Sequence, residues 1–275
     1  MLLQAADVHF GYDPASPVVR GVSLDVPPGA FLGILGPNGS GKTTLLRLLA
    51  GTRRPSRGHI TLDGTDLSRV PRASIARRMA VVPQETHLAF DYTALEVVLM
   101  GRYPHLRAFE IEGPEDVTIA RQSLEATGTR DLQDRLFSTL SGGEKQRVVI
   151  AAALAQIGRP AGTGTSNAVL LLDEPTAALD LAYQLEVAAL LRELQDRLPI
   201  AIVVSTHDLN FAASLCRTIV LLKRGEVLAS GPIDDVVTPA RIRELYGVEA
   251  EVERRPSTGH LIVVPVARTE PRDSR

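Results

Sequence analysis

FLGILGPNGSGKTTLLRLLAG occupies positions 31 to 51. Phe31 to Leu35 is a short apolar run of the kind that forms a strand buried on both faces. Gly36-Pro37-Asn38-Gly39-Ser40-Gly41-Lys42-Thr43 matches the pattern G-x-x-x-x-G-K-[ST] in full. Its glycines let the backbone curl so that successive N–H groups point inward at phosphate oxygens. KTTLLRLLA then runs with helical period and stops at Gly51, as a helix does before a glycine. The helix start adds its positive dipole end. Lys42 is expected to place a point charge on the β- and γ-phosphates, and the Thr43 hydroxyl to ligate Mg²⁺. The expected ligands are ATP and Mg²⁺, held by the loop from Gly36 to Thr44. A chance Gly-rich turn before a helix is the other reading, and the position between strand and helix argues against it.

Outward from this loop, the chain alternates strands and helices. VSLDV puts Val22, Leu24 and Val26 on one face, and HITLDGTDL reads as two strands turned at Asp63-Gly64. MAVVPQ reads as a strand ending at Gln84. From Thr93 the texture becomes helical: TALEVVLMG opens on a Thr cap and closes on a glycine, PEDVTIARQSLEAT has acids in its first turn, and GGEKQRVVIAAALAQ is a third helix. The strands AVLLLDE, AIVVSTH and TIVLLK follow, with the helix LAYQLEVAALLRELQDRL between the first two. The predicted fold is α/β, a parallel sheet covered on both faces, with an antiparallel β subdomain and an inserted helical lobe over about 89–165. GRPAGTGTSN (158–167) reads as a polar surface loop. Beyond Glu226 short strands and the helix PARIRELYG are expected, with RTEPRDSR as a disordered end.

Composition excludes several classes. The chain has 275 residues, a net charge of −2 and 4% aromatics, which leaves no support for a nucleic-acid binder or a base-stacking platform. Cys216 is the single cysteine, so neither an intramolecular disulfide nor a thiolate metal cluster is expected. No apolar run approaches the roughly 20 residues of a bilayer span. MLLQAADVHFGYD lacks the features of a secretory signal. A cytoplasmic chain is expected, one that docks on another protein's spanning helices if it works at a membrane.

Four further places carry chemistry. Val169 to Leu172 deliver Asp173 and Glu174 at a strand end. Asp173 is placed to hold Mg²⁺, and Glu174 to accept a proton from an attacking water; helix N-capping is the alternative reading. Gln84 has a neutral amide able to touch both metal and water, or is a surface glutamine in a turn. His207 ends a buried strand, where ligands of parallel sheets gather, and can stabilise charge on the γ-phosphate; the alternative is a structural histidine. Leu140-Ser141-Gly142-Gly143-Glu144-Lys145-Gln146-Arg147 opens a long helix with a serine and two glycines, a second anion-binding helix start. One ATP does not need two such sites in one chain. A head-to-tail dimer, in which this one caps a partner's γ-phosphate, resolves that, and an ordinary Ser cap is the alternative.

LSGGEKQR resembles the signature of ABC-type ATPases, and the other pieces follow in that family's order over about residues 1–240. The resemblance implies a RecA-like P-loop NTPase core for the ATPase domain at 1–240, with 241–275 as a C-terminal extension. It implies that Tyr12 stacks on adenine, against the alternative of a packed strand-edge tyrosine. It also implies that Ser141, Gly142 and Gly143 meet the opposite subunit's ATP, that Asp180 in Ala177-Ala178-Leu179-Asp180 crosses the dimer interface, and that Glu174 is the general base. Phe90 to Thr93, Glu96 to Val98, Met100 to His105, Thr206 to Asn210 and Leu245 to Ala250 are similar to importers of iron chelates, cobalamin and haem. Arg102 and His105 in this stretch can also merely cap a helix end. The importer resemblance implies a homodimer on a permease dimer at the cytoplasmic face of the membrane, docked near Gln84 to Arg102, and indirectly a substrate-binding protein. The loop 158–167 departs from the shortest cassettes of this group and resembles haem-import cassettes in carrying extra residues there, a lean toward haem. A soluble ATPase acting on ribosomes or DNA, and an ATP-binding module without turnover, are the rival readings.

Overall fold

A computed structural model describes residues 1–13, 15–158, 167–177 and 179–269. The expectations for the loop inside 158–167, for Ala178 and for the last six positions of the tail lie outside the described residues.

The strand and helix patterns above become β1 (Leu3–Asp13), β2 (Ser16–Val26), β3 (Phe31–Leu35), α1 (Lys42–Leu49), β4 (Arg57–Leu62), β5 (Thr65–Asp66), α2 (Arg72–Ala76) and β6 (Met79–Val82). Three helices come next: α3 (Ala94–Met100), α4 (Pro114–Ala126) and α5 (Gly142–Ile157). The sheet resumes with β7 (Ala168–Asp173), α6 (Leu181–Arg197), β8 (Ile200–Thr206), α7 (Leu209–Leu215), β9 (Thr218–Lys223) and β10 (Glu226–Pro232). The chain closes through α8 (Ile233–Val236), α9 (Pro239–Tyr246) and the hairpin β11 (Val248–Arg254) and β12 (Leu261–Arg268).

The main sheet has the order β10-β9-β3-β8-β7-β6, parallel except for the antiparallel edge strand β10. An antiparallel sheet, β2-β1-β4-β5, lies beside it. β4 and β5 turn at Asp63 (φ 49°) and Gly64 (φ 76°), the left-handed pair that a two-residue hairpin requires. β6 stops at Val82, two residues before the expected Gln84, because Pro83 has no N–H to continue the ladder.

Alternate residues of the main sheet enter two separate cores. Phe31, Leu35, Leu170, Leu172, Ile202 and Val204 pack with α3, α4, α5, α6 and α7. Leu32, Ile34, Val169, Leu171, Ala201 and Val203 pack with α1 and the antiparallel sheet. Helices α1 and α5 therefore lie on opposite faces. The tail is part of the first core, through Ile242, Leu245, Ala250, Leu261 and Val263.

The helical segment is held by contacts invisible in its periodicity. Thr93 caps α3 in a reciprocal box with Glu96. Gly101 ends α3 with ordinary helical angles (φ −59°) and not as a left-handed cap. It is glycine for another reason: a Cβ there would stand 2.2 Å from the Ala152 carbonyl of α5. Arg102, 2% exposed, donates to Ala155 O (2.6 Å) and Gly158 O (2.8 Å) and pairs with Asp116 at 2.9 Å. His105 Nε2 donates to Gln156 O at 2.7 Å. Arg102 and His105 thus cap the C-terminus of α5, the helix-end alternative in the sequence reading. Burial raises the Asp116 carboxyl, but the Arg102 guanidinium and the Gly113 N–H outweigh it and hold it below the usual range.

Arg102→Ala leaves Asp116 buried without its partner and two carbonyls of α5 uncapped. It should cost about 3 kcal/mol of unfolding free energy, measured by denaturant titration, whereas removing the exposed Arg197–Glu193 pair should cost under about 1 kcal/mol.

Candidate functional site

β3, β7 and β8 end level with one another: Leu35 pairs with Thr206 and Asp173 with Ser205. Gly36, Glu174 and His207, the next residues on each strand, therefore leave the sheet along one edge.

The loop after β3 is built as its sequence demands. Gly39 (φ 78°) and Gly41 (φ 103°) hold left-handed backbone. A Cβ on Gly36 would meet Leu222 O at 2.2 Å and Ser40 Oγ at 2.5 Å. Gly41 caps α1 with no side chain, so among the described residues no cap side chain accepts from the first N–H groups of the helix. Ser40 Oγ is buried without a hydrogen-bond partner among the described residues. Lys42, 5% exposed, donates to Gly36 O (2.8 Å) and Pro37 O (3.3 Å) and pairs with Glu174 Oε1 at 3.1 Å. A cation, a rim of backbone donors and a free hydroxyl thus line one cradle, which suits a polyphosphate.

Asp173 and Glu174 do not cap a helix: α6 starts later, and its cap is Asp180, whose Oδ1 accepts from Tyr183 N at 3.1 Å. Asp173 is buried and accepts from Thr43 Oγ1 (3.1 Å) and Ser205 Oγ (2.6 Å). Glu174 takes a left-handed backbone (φ 47°), uncommon for a non-glycine residue. That turn swings its side chain away from the strand's alternation. It is held by its own N–H to Ser205 O (2.9 Å) and by two cations or donors at once, Lys42 at 3.1 Å and His207 Nδ1 at 3.0 Å. Lys42, Thr43, Asp173, Glu174 and His207, widely separated in sequence, make one cluster.

Other expected residues stand apart from it. Gln84 is exposed after Pro83, and no hydrogen bond joins it to the cluster among the described residues. Tyr12 is 56% exposed beside α1, with its hydroxyl 3.5 Å from Thr44 Oγ1 and 3.2 Å from Arg47 Nη1. The Thr44 contact and the nearby arginines hold its phenol below the usual range. Arg53 covers the ring at 5.8 Å. Ser141 caps α5 in a reciprocal box: its Oγ accepts from Glu144 N and its N–H donates to Glu144 Oε2 at 2.7 Å. That hydrogen bond keeps the Glu144 carboxyl below the usual range. Gly142 is exposed, but Gly143 is buried, and a Cβ there would lie 2.2 Å from the Tyr183 ring. Sequence reasoning offered the Ser cap as the alternative and missed Tyr183 altogether.

The sequence profile of the ABC transporter family matches residues 19–177. The chain is 45% identical over 245 residues to a hemin import ATP-binding protein of Gloeobacter violaceus, covering 89% of this chain and 87% of that one. It is 35% identical over 269 residues to the ferric enterobactin transport ATP-binding protein of Escherichia coli, covering 98% and 96%. A solved chain described as a metal-chelate type ABC transporter, inward-facing, superposes with a TM-score of 0.82 at 29% identity, covering 96% and 97%.

Two glycines of one loop separate packing from conformation. Gly39→Ala meets open space and should lose about 1–2 kcal/mol to its left-handed backbone alone. Gly36→Ala meets a backbone carbonyl and should lose about 3 kcal/mol, with at least roughly tenfold weaker binding of a fluorescent ATP analogue by titration.

Proposed function

The chain belongs to the ABC transporter family, and on that premise we propose that it is the ATP-hydrolysing subunit of an importer for haem, an iron chelate or cobalamin. The fold is that of a P-loop ATPase cassette, and ATP is the nucleotide such subunits bind. The observation that carries the hydrolytic reading is Glu174 held between Lys42 and His207 at 3.1 and 3.0 Å beside the phosphate cradle.

In this reading Lys42 exchanges the Gly36 and Pro37 carbonyls for β- and γ-phosphate oxygens, which frees Glu174 Oε1. The N–H groups of Gly39 to Thr44 and the Ser40 hydroxyl bind the remaining oxygens, and Tyr12 offers its ring to the adenine. Thr43 Oγ1 and Asp173 Oδ1 are oxygen donors 3.1 Å apart, a donor set that fits Mg²⁺, with Gln84 joining by a movement of its exposed segment. Mg²⁺, when bound, neutralises charge shared by the β- and γ-oxygens. Glu174 takes a proton from the water whose oxygen attacks the γ-phosphorus; the bond to the ADP oxygen breaks, and phosphate leaves. His207 steadies Glu174 through Nδ1 and can turn its ring to the γ-oxygens.

The partner of this half-site is a second copy. Since α1 and α5 lie on opposite faces of the sheet, a chain's Ser141 to Gly143 serve a neighbour's cradle more readily than its own. The exposed cap Asp180 lies ahead of α6, free to contact such a neighbour in this reading. Among the described residues no helix is long and apolar enough to cross a membrane. The subunit instead docks peripherally, on the cytoplasmic face, against a permease dimer that receives cargo from a binding protein. Exposed Phe90 lies in the stretch assigned to that contact, and exposed Tyr103, Phe109 and Ile111 follow it in the chain. Arg102 is buried and takes no part in it. The importers of hemin and ferric enterobactin among its relatives support haem or an iron chelate as cargo.

Glu174→Gln should lower ATP turnover at least about 10²-fold in a phosphate-release assay while nucleotide binding persists. Turnover per wild-type chain should rise with chain concentration as dimers form; a rate independent of concentration, in a species shown monomeric by ultracentrifugation, would refute the shared site. Loss of the gene should abolish growth on haem or on a ferric siderophore as sole iron source.

A further inference from the structure

Among the described residues the His207 side chain makes one hydrogen bond, to Glu174, and its ring is 54% exposed. With so little packed around the ring, its aim is set by the backbone that carries it, the turn from Thr206 to Asn210 between β8 and α7. That turn is gripped from the C-terminal extension at two points. The Tyr246 hydroxyl, at the last residue of α9, donates to His207 O at 3.3 Å. The Asn210 amide pairs with β12 as a neighbouring strand would: Val263 N donates to Asn210 Oδ1 at 2.8 Å, and Asn210 Nδ2 donates to Val263 O at 3.2 Å. Between the two grips, Asp208 N donates to Thr206 Oγ1 at 3.0 Å. The Asp208 carboxylate caps α7 by accepting from Asn210 N and Phe211 N.

The extension is anchored firmly enough to act as a fixed frame. Ile242 and Leu245 of α9 and Leu261 and Val263 of β12 are in the core shared with α7 and β8. Lys223 Nζ donates to Glu244 O at 2.6 Å, tying α9 to β9. Burial, then the charges of Asp208 and Glu174, push the Tyr246 phenol well above its usual range, so it remains an O–H donor wherever the protein works.

We propose that the C-terminal extension positions His207 against Glu174, with Tyr246 and Asn210 as positioning residues that hold the turn carrying the histidine at its two ends. The proposal rests on the reading of Glu174 and His207 as the hydrolytic pair. Its physical basis is leverage. A displacement of about 1 Å in a group that must meet the γ-phosphate can cost on the order of 10²-fold in rate, whereas the cradle that binds ATP lies on β3 and α1, which the two grips do not touch. The extension is thereby assigned to the chemical step and not to nucleotide binding.

The test uses the full-length chain with Mg-ATP, at a chain concentration that saturates turnover. Tyr246→Phe removes one oxygen atom and keeps the ring in place. It should lower kcat about threefold to tenfold, the loss of one well-placed hydrogen bond, with KM for ATP within about twofold of wild type. Asn210→Ala, which also leaves Val263 unpaired, should lower kcat about tenfold or more, again with KM little changed. Melting temperature is read alongside, with kinetics taken well below it. Wild-type kcat in both variants, even with a lowered melting temperature, overturns the proposal and leaves these bonds a role in stability alone. A loss confined to KM overturns it as well. Glu174→Gln, run in parallel, separates the two levels of argument: if it still turns over, the hydrolytic reading and the positioning built on it both fall, whereas an inactive Glu174→Gln beside unaffected Tyr246 and Asn210 variants sinks the positioning alone.

Discussion

The parallel register of β3, β7 and β8 is the constraint from which the rest follows. Leu35 faces Thr206, and Asp173 faces Ser205, so three chain segments far apart in sequence leave the sheet at one edge. Parallel strands run their carboxyl ends to the same side, which is why ligands of such sheets gather there. A slip of one residue in β7 would turn Asp173 away from Thr43 and break the cluster. The cradle, the carboxylates and the histidine are brought to one edge by this register, and the pairs of Glu174 with Lys42 and His207 then hold them there.

The sheet also separates work from assembly. Alternation sends one set of side chains to α1 and the antiparallel sheet, the other to α3 through α7 and the tail. The phosphate cradle belongs to the first layer, the signature helix to the second. In a chain divided this way the cradle and the start of α5 lie on different layers, which is the arrangement the proposed head-to-tail pair draws on. In the second layer Arg102, Asp116 and His105 tie the C-terminal end of α5 to α4 and to the segment after α3, while its first turn carries Ser141 and Gly143.

Particular residues show how far the sequence could be followed. The loop from Gly36 to Thr44, the acids at the end of β7 and the histidine after β8 were legible because each is announced locally, by glycines before a helix or by polar residues at the end of an apolar run. Gly143 was legible as a glycine, but its reason was not. The Tyr183 ring that excludes any Cβ there comes from another helix. Gly101 is the same case: it ends α3 as expected, but the Ala152 carbonyl is the reason it must be glycine. Arg102 read as part of the docking stretch, with a helix cap as the alternative, and its burial decides for the cap. Helix α7 and the pairing of Asn210 with Val263 left no periodic signal, since one is short and the other is a single amide opposite a strand.

The sequence alone determined which residue types follow which strands, and with that the class of fold and the chemistry on offer: backbone N–H groups and a lysine for phosphate, two acids, a histidine. These are local properties, written in periodicity, glycine placement and strand ends. Only the tertiary structure decided which of them meet. It set Glu174 between Lys42 and His207, put Thr43 beside Asp173, left Gln84 outside, buried Gly143 under Tyr183 and brought Tyr246 to the backbone of His207. The physical reason is that contacts between distant segments depend on register, on the face of the sheet each element takes, and on how cores fill, and none of these is a property of any single stretch of chain.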